Sequence, residues 1–187
     1  MPRRGETPGC WVDMSALPAI ATAPIRFATE ADIDALVSLI NLAFRAESFC
    51  VSGDRTDRND ILARMAVGRF LVIDNLAPGD LVAAVYSAVH GVRGYLGLLS
   101  IDPAAQGRGL ARKMVLAVEE NLREVGCNFV DLTVVNAREE LFPIYQQLGF
   151  AASDVVVFPV PERALRPLHL VRMTKALHPP AMLQPPG

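Results

Sequence analysis

The sequence predicts an α/β fold: one mixed, mostly antiparallel sheet of about seven strands with helices on both of its faces. Three observations carry this. Apolar residues recur at the 3.6-residue period over 33–44 and again over 110–125. A run of short β-rich segments separated by turn residues fills 69–101, and strand and helix patterns alternate from there to about residue 173.

Ile25-Arg26-Phe27 reads as a short first strand. Thr29-x-x-Asp32 follows as a capping box, which satisfies the first orphan amides of a helix whose apolar stripe is Ile33, Leu36, Val37, Ile40 and Phe44. Arg45-Ala46-Glu47-Ser48 and the turn-rich Ser52-Gly53-Asp54-Arg55-Thr56 precede a weaker helix near 59–65, and these segments read as loops and helices over a site. The β meander comes next: 70–73, a Pro78-Gly79-Asp80 turn, 81–89, a turn at 91–94, and 95–101. Pro103 ends the last strand, and Leu110, Met114, Ala117, Val118, Leu122 and Val125 form a helix face with Gly126 at its C-terminal cap. A strand at 129–135, a short helix through Leu141, Ile144, Tyr145 and Leu148 closed by Gly149, and strands at 155–158 and 168–173 complete the chain. The folded domain is expected over 25–177, with a flexible leader at 1–24 and a flexible proline-rich tail at 178–187.

Composition narrows the function. A chain of 187 residues with 51 % hydrophobic and 20 % charged residues can bury a core without disulfides or metals. No apolar run approaches the ~18 residues that span a bilayer, so no membrane partner is expected. A formal net charge of −2 provides no broad basic field, which argues against nucleic acid. Cys10, Cys50 and Cys127 lie far apart, and His90, His169 and His178 lack the i, i+4 spacing of a metal pair, so no metal is expected and reduced thiols suit a cytoplasmic location. Proline and aspartate interrupt 11–24, a poor signal peptide, and Met14 offers an alternative start.

The chemistry concentrates in Leu98-Leu-Ser-Ile-Asp102-Pro103-Ala-Ala-Gln106-Gly107-Arg108-Gly109-Leu110-Ala111-Arg112, a strand, a short turn and a glycine-rich helix start. Such a turn gathers backbone amides at the positive end of a helix, where a pyrophosphate is stabilised. Arg108, Arg112 or Lys113 would add charge. Taken alone, a Gly-x-Gly is more often just a tight turn. A dinucleotide fingerprint would need a third glycine where Arg112 stands, and a P-loop would need Gly-Lys-Ser/Thr. The stretch resembles motif A of the GNAT N-acetyltransferases, Gln/Arg-x-x-Gly-x-Gly/Ala, here Gln106-Gly-Arg-Gly109-Leu-Ala111. Leu141-Phe-Pro-Ile-Tyr145-Gln-Gln-Leu-Gly149-Phe150 is similar to the ending of the family's motif B, and the resemblance covers 25–177.

That resemblance implies the GNAT fold, with two splayed parallel strands forming a wedge, and acetyl-CoA as the acetyl donor. Leu99, Ser100 and Ile101 would pair with the pantetheine arm like an added strand, with the amide near Leu99 polarising the acetyl carbonyl. Gln106, Gly107, Arg108, Gly109, Leu110, Ala111 and Arg112 would hold the pyrophosphate. Tyr145 would serve as general acid to the leaving thiolate; the alternative is an aromatic filling the apolar face it shares with Leu141, Ile144 and Leu148. Where many relatives carry a CoA-contacting asparagine this chain has Arg138, with Asn136 two residues earlier, and either could meet the cofactor.

The general base stays open among Glu47, Asp54, His90 and Asp131. Arg45, Glu47, Arg55 and Thr56 are candidates for the acceptor pocket, where both charge signs would suit a zwitterionic or carboxylate-bearing amine. The expected reaction is acetyl transfer to the primary amine of a small acceptor by direct attack in a ternary complex. The rivals are a covalent route through Cys50 or Cys127, an inactive CoA-binding module, and acetylation of a protein N-terminus or lysine. GNAT members often dimerise through the last strands of the sheet, and 155–158 suits such an edge as well as a buried strand.

Overall fold

The computed structural model describes residues 23–75 and 79–177. The expected leader, apart from 23–24, and the expected tail lie outside the described residues, as do Cys10, Met14, Pro78 and His178.

Seven strands make one sheet in the order β1-β2-β3-β4-β5-β7-β6. They are β1 (Arg26–Phe27), β2 (Gly68–Asp74), β3 (Leu81–His90), β4 (Arg93–Ile101), β5 (Phe129–Val135), β6 (Ala151–Val157) and β7 (His169–Ala176). Among the described residues four α-helices accompany them: α1 (Ile33–Phe44), α2 (Arg58–Val67), α3 (Leu110–Glu124) and α4 (Leu141–Gln147). All neighbouring strands run antiparallel except β4 and β5, which are parallel.

The period-two alternation of β2 separates two cores. Phe70 and Val72 pack with Ile33, Leu36 and Ile40 of α1 and Ile61 of α2, while Leu71 and Ile73 pack with Leu110, Met114, Val118 and Leu122 of α3. Tyr145 of α4 and Leu148 just beyond it lie against the second core, so helices cover both faces of the sheet as expected. The α3 stripe recurs every fourth residue and is fully enclosed, and Gly126 beyond it is left-handed (φ +85°). Packing of α3 on β4 is close enough to demand a glycine: a Cβ on Gly94 would lie 2.3 Å from Leu122 Cδ1.

The expected boundaries shift in several places. The strand expected at 95–101 begins at Arg93, the helix expected at 59–65 runs from Arg58 to Val67, and Asp57 caps it by accepting from the Asp60 amide at 2.8 Å. The strand expected at 155–158 is β6, which starts four residues earlier; the register with β7 recruits Ala151 and Ala152 despite their weak strand preference. β6 is a sheet edge, with Val155 and Val157 exposed.

Two features of β4 shape the site. Its pairing with β5 stops after Tyr95↔Asp131, so Leu96 to Ile101 diverge from the neighbouring strand. Its pairing with β3 slips by one residue between Tyr86↔Gly97 and Ala84↔Ser100, a bulge at Leu98 and Leu99. Leu98 (φ +49°) is the one non-glycine with positive φ among the described residues.

Candidate active site

The divergence of β4 from β5 opens a cleft of about 570 Å³. Leu99 and Ile101 form one wall, the turn at Gln106, Gly107 and Gly109 closes the end, and Ile144 and Tyr145 of α4 with Leu148 at its C-terminal cap form the opposite side. Leu110, Ala111, Arg112 and Arg138 also line it. At the closed base of the wedge, Arg93 reaches Asp131 at 2.5 and 2.6 Å, and the Tyr95 and Thr133 hydroxyls lie 3.4 Å apart. A Cβ on Gly97 would lie 2.7 Å from the Tyr95 ring, so this glycine leaves room for Tyr95 to lie along β4.

The start of α3 is built to take an anion. Gly107 and Gly109 both have φ +76°, no side chain caps the helix, and a Cβ built on either glycine meets nothing within 4 Å. The first amides of a helix have no acceptor within it, so these N–H groups face the cleft end with the helix dipole behind them. A pyrophosphate fits that cradle, and the diverging edge of β4 fits a linear amide-bearing arm.

A second, smaller pocket of about 190 Å³ adjoins the first, and Phe44 lines both. Asn41, Arg45, Glu47, Asp54 and Arg55 line it. Glu47 sits on the single 3-10 turn that follows α1, and its carboxylate lies 3.7 Å from Arg138 across the junction of the two cavities. Burial raises the Glu47 pKa; the charges of Arg55 and Arg138 pull it back and that of Glu140 adds to the rise. Tyr145 is pushed up to about 12, mainly by burial, and its hydroxyl makes no hydrogen bond to any described residue. Arg138 is also held by Glu140 at 2.5 Å.

The side chains of some expected site residues line neither cavity. Ser100 is enclosed and donates to the Leu98 carbonyl at 3.0 Å, and Arg108 turns back to the Ala104 carbonyl at 3.1 Å. Asn136 ties the end of β5 to β7 by accepting from the His169 amide at 3.0 Å. Thr56 is buried behind the smaller pocket, with its hydroxyl donating to Asp60 at 2.6 Å. Of the four candidate bases, Asp131 is spent on Arg93 and Thr174, and His90 ends the hairpin strand β3. Glu47 and Asp54 remain at the pocket. Cys50 and Cys127 line neither cavity, and burial pushes both thiols up, away from the thiolate a covalent route requires.

Two contributors were hidden in the sequence. Asn41 lies on α1, and its side-chain oxygen accepts the amides of Arg55 at 2.9 Å and Thr56 at 3.0 Å, pinning the loop that carries Arg55. Phe44, which reads as the last member of a core stripe, forms the wall between the cavities.

A wedge of diverging parallel strands over an uncapped, glycine-led helix defines a class: an α/β protein shaped for a pyrophosphate ligand with an extended arm. The GNAT acetyltransferase family model matches residues 33–150, and the chain belongs to that family of acyltransferases, whose donor is acetyl-CoA. It is 35 % identical over 141 residues to mycothiol acetyltransferase of Nocardia farcinica, which covers 70 % of this chain and 46 % of that protein. The chain thus spans less than half the length of this relative. Among solved structures it superposes on the ribosomal-protein-S18-alanine N-acetyltransferase of Escherichia coli with a TM-score of 0.67, at 14 % identity over 87 % of this chain and 99 % of that one. It superposes on a putative acetyltransferase from Salmonella typhimurium, solved with its cofactor acetyl-CoA, with a TM-score of 0.65, at 20 % identity over 88 % and 99 %.

Proposed function

We propose that this chain transfers an acetyl group from acetyl-CoA to the primary amine of a small acceptor by direct attack, with donor in the larger cleft and acceptor in the smaller pocket. The observation that carries the reading is the junction: Phe44 lines both cavities, and Glu47 of one faces Arg138 of the other. When bound, acetyl-CoA supplies the acetyl group as a thioester. The amides of 107–112 and Arg112 hold its pyrophosphate, and the unpaired edge of β4 at Leu99 and Ile101 takes the arm.

Glu47 accepts the proton that an ammonium, with a pKa near ~10, must lose before it attacks. Its raised pKa brings it closer to that task than an ordinary carboxylate, while the charges of Arg55 and Arg138 favour its ionised form. Tyr145 stands on the cleft wall as a hydrogen-bond donor to the departing sulfur. At a pKa of about 12, full proton transfer from Tyr145 to a thiolate of pKa ~8.5 would be uphill by roughly 5 kcal/mol, so Tyr145 stabilises by donating and keeps its proton.

The E. coli neighbour is named for a protein terminus and the Nocardia relative for mycothiol, so shared fold does not choose the acceptor. The pocket supports a small one, being below the ~300–1,000 Å³ of drug-sized sites. The test is acetyl-CoA-dependent thiol release with a panel of amines and short peptides. Amine-dependent turnover supports the reading; faster turnover of peptides overturns the small acceptor, and binding of acetyl-CoA without any turnover leaves only a binding module.

A further inference from the structure

We propose that the acceptor carries a carboxylate as well as its amine, and that Arg55 is the residue that takes it; this rests on the acetyl-transfer reading above. Most described arginines have their charge engaged. Arg26, Arg58, Arg64, Arg93, Arg123, Arg138 and Arg172 are ion-paired, and Arg108 and Arg163 donate to backbone carbonyls. The Arg55 guanidinium has no ion pair or hydrogen-bond acceptor among the described residues and lines the smaller pocket.

Its position is fixed from two sides. Asn41 holds its backbone amide at 2.9 Å, and the guanidinium rests 5.1 Å from the centre of the Phe44 ring, the wall shared with the acetyl-donor cleft. A cation lying on an aromatic face, with Glu47 near enough to feel its charge but not in ion-pair contact, is held in place and still presents its donors. Arg55 remains solvent-exposed at the pocket, yet its surroundings partly desolvate the cation and lower its pKa, a cost that a bound anion would offset. Arg45 also lines the pocket unpaired, but nothing comparable fixes its side chain, and Arg163 is tied to the carbonyls of Ser52 and Asp54.

The planar guanidinium matches a carboxylate through two parallel hydrogen bonds. With the carboxylate on Arg55, the opposite sign in the same pocket, Glu47 at the junction and Asp54 at its rim, receives the ammonium. That polarity turns the amine towards Glu47 and the donor cleft and leaves the carboxylate behind it. A pocket of about 190 Å³ suits an amino acid or the amino-acid end of a larger molecule.

The experiment compares matched pairs, free amino acids (α, β and ω) against their carboxamides, by thiol release from acetyl-CoA with wild type and Arg55→Gln, alongside calorimetry with acetyl-CoA. Wild type should prefer the carboxylate member by at least about tenfold in kcat/KM, an advantage of ~1.4 kcal/mol. Arg55→Gln should erase the preference through KM for the acceptor, with KM for acetyl-CoA unmoved, and Arg55→Lys should restore part of it. Equal use of both members, a preference that survives Arg55→Gln, or no turnover of any amino acid by a protein that binds acetyl-CoA would overturn the proposal. The wild-type comparison stands even if a variant fails to fold, and a failure to bind acetyl-CoA would instead remove the reading beneath it.

Discussion

In the proposed reaction Glu47 and Tyr145 would divide the work, because burial acts on them in the same direction with different consequences. Desolvation disfavours each charged form, so the carboxyl becomes a better proton acceptor and the phenol a group that stays protonated. Glu47→Gln should therefore lower kcat by roughly 10²–10⁴ while leaving acetyl-CoA affinity unchanged in calorimetry. If Glu47 takes the proton as the carboxylate, kcat/KM should rise with pH through an acid limb placed above the ordinary carboxylate range. Arg138→Gln should move that limb further up, since the cation that favours ionisation is gone; an unmoved limb would assign it to another group. Tyr145→Phe should cost no more than about the 1.5–3 kcal/mol of one charge-assisted hydrogen bond in kcat, and wild type should show no basic limb from Tyr145 below pH about 11. A larger loss would mean that Tyr145 transfers its proton outright. At this scale Gly107 and Gly109 were legible because positive φ favours glycine, whereas Leu98 adopts φ +49° with nothing in its side chain to announce it. Arg138 was a candidate cofactor contact because it fills the slot where many relatives carry an asparagine, and it lines the larger cleft; its pairing with Glu47 was not legible, because residues 47 and 138 meet only in the fold.

Elements were legible where a local signal coincides with burial. The capping box before α1 is an example: Asp32 accepts the Thr29 amide at 2.7 Å and also pairs with Arg26 at 2.7 Å, binding the helix start to β1. Hydrogen bonds from Arg26 hold the Asp32 carboxyl well below its usual range. A depressed carboxylate pKa stabilises the fold above the unfolded value of ~3.9, and that contribution disappears as pH falls through the lower folded value. Asp32→Asn should thus cost about 1–2 kcal/mol at pH 7 in urea unfolding. The gap from wild type should narrow steadily below pH ~4; a gap independent of pH would show that packing, not the carboxylate, sets it. The extension of β6 to Ala151 and the bulge in β4 were not legible, because each is imposed by a neighbouring strand's register.

For the molecule as a whole, the expected architecture and the wedge are present: seven strands, helices on both faces, and one parallel pair that separates after three residue pairs. What sequence could not supply was the relation between the two cavities, since residues 41–55 and 138–145 come together only through the sheet. The central claim is that the larger cleft binds acetyl-CoA through the helix start at Gly109. The direct measurement is titration calorimetry of wild type and Gly109→Trp with acetyl-CoA, with the fold of the variant checked by thermal melting. Gly109 has φ +76° and open space around its Cβ position, so the indole should enter the cradle at about 1–2 kcal/mol of backbone strain. The account predicts micromolar binding by wild type, about −8 kcal/mol, abolished in a folded Gly109→Trp. No heat and no thermal stabilisation with wild type, or undiminished binding by the folded variant, would contradict it.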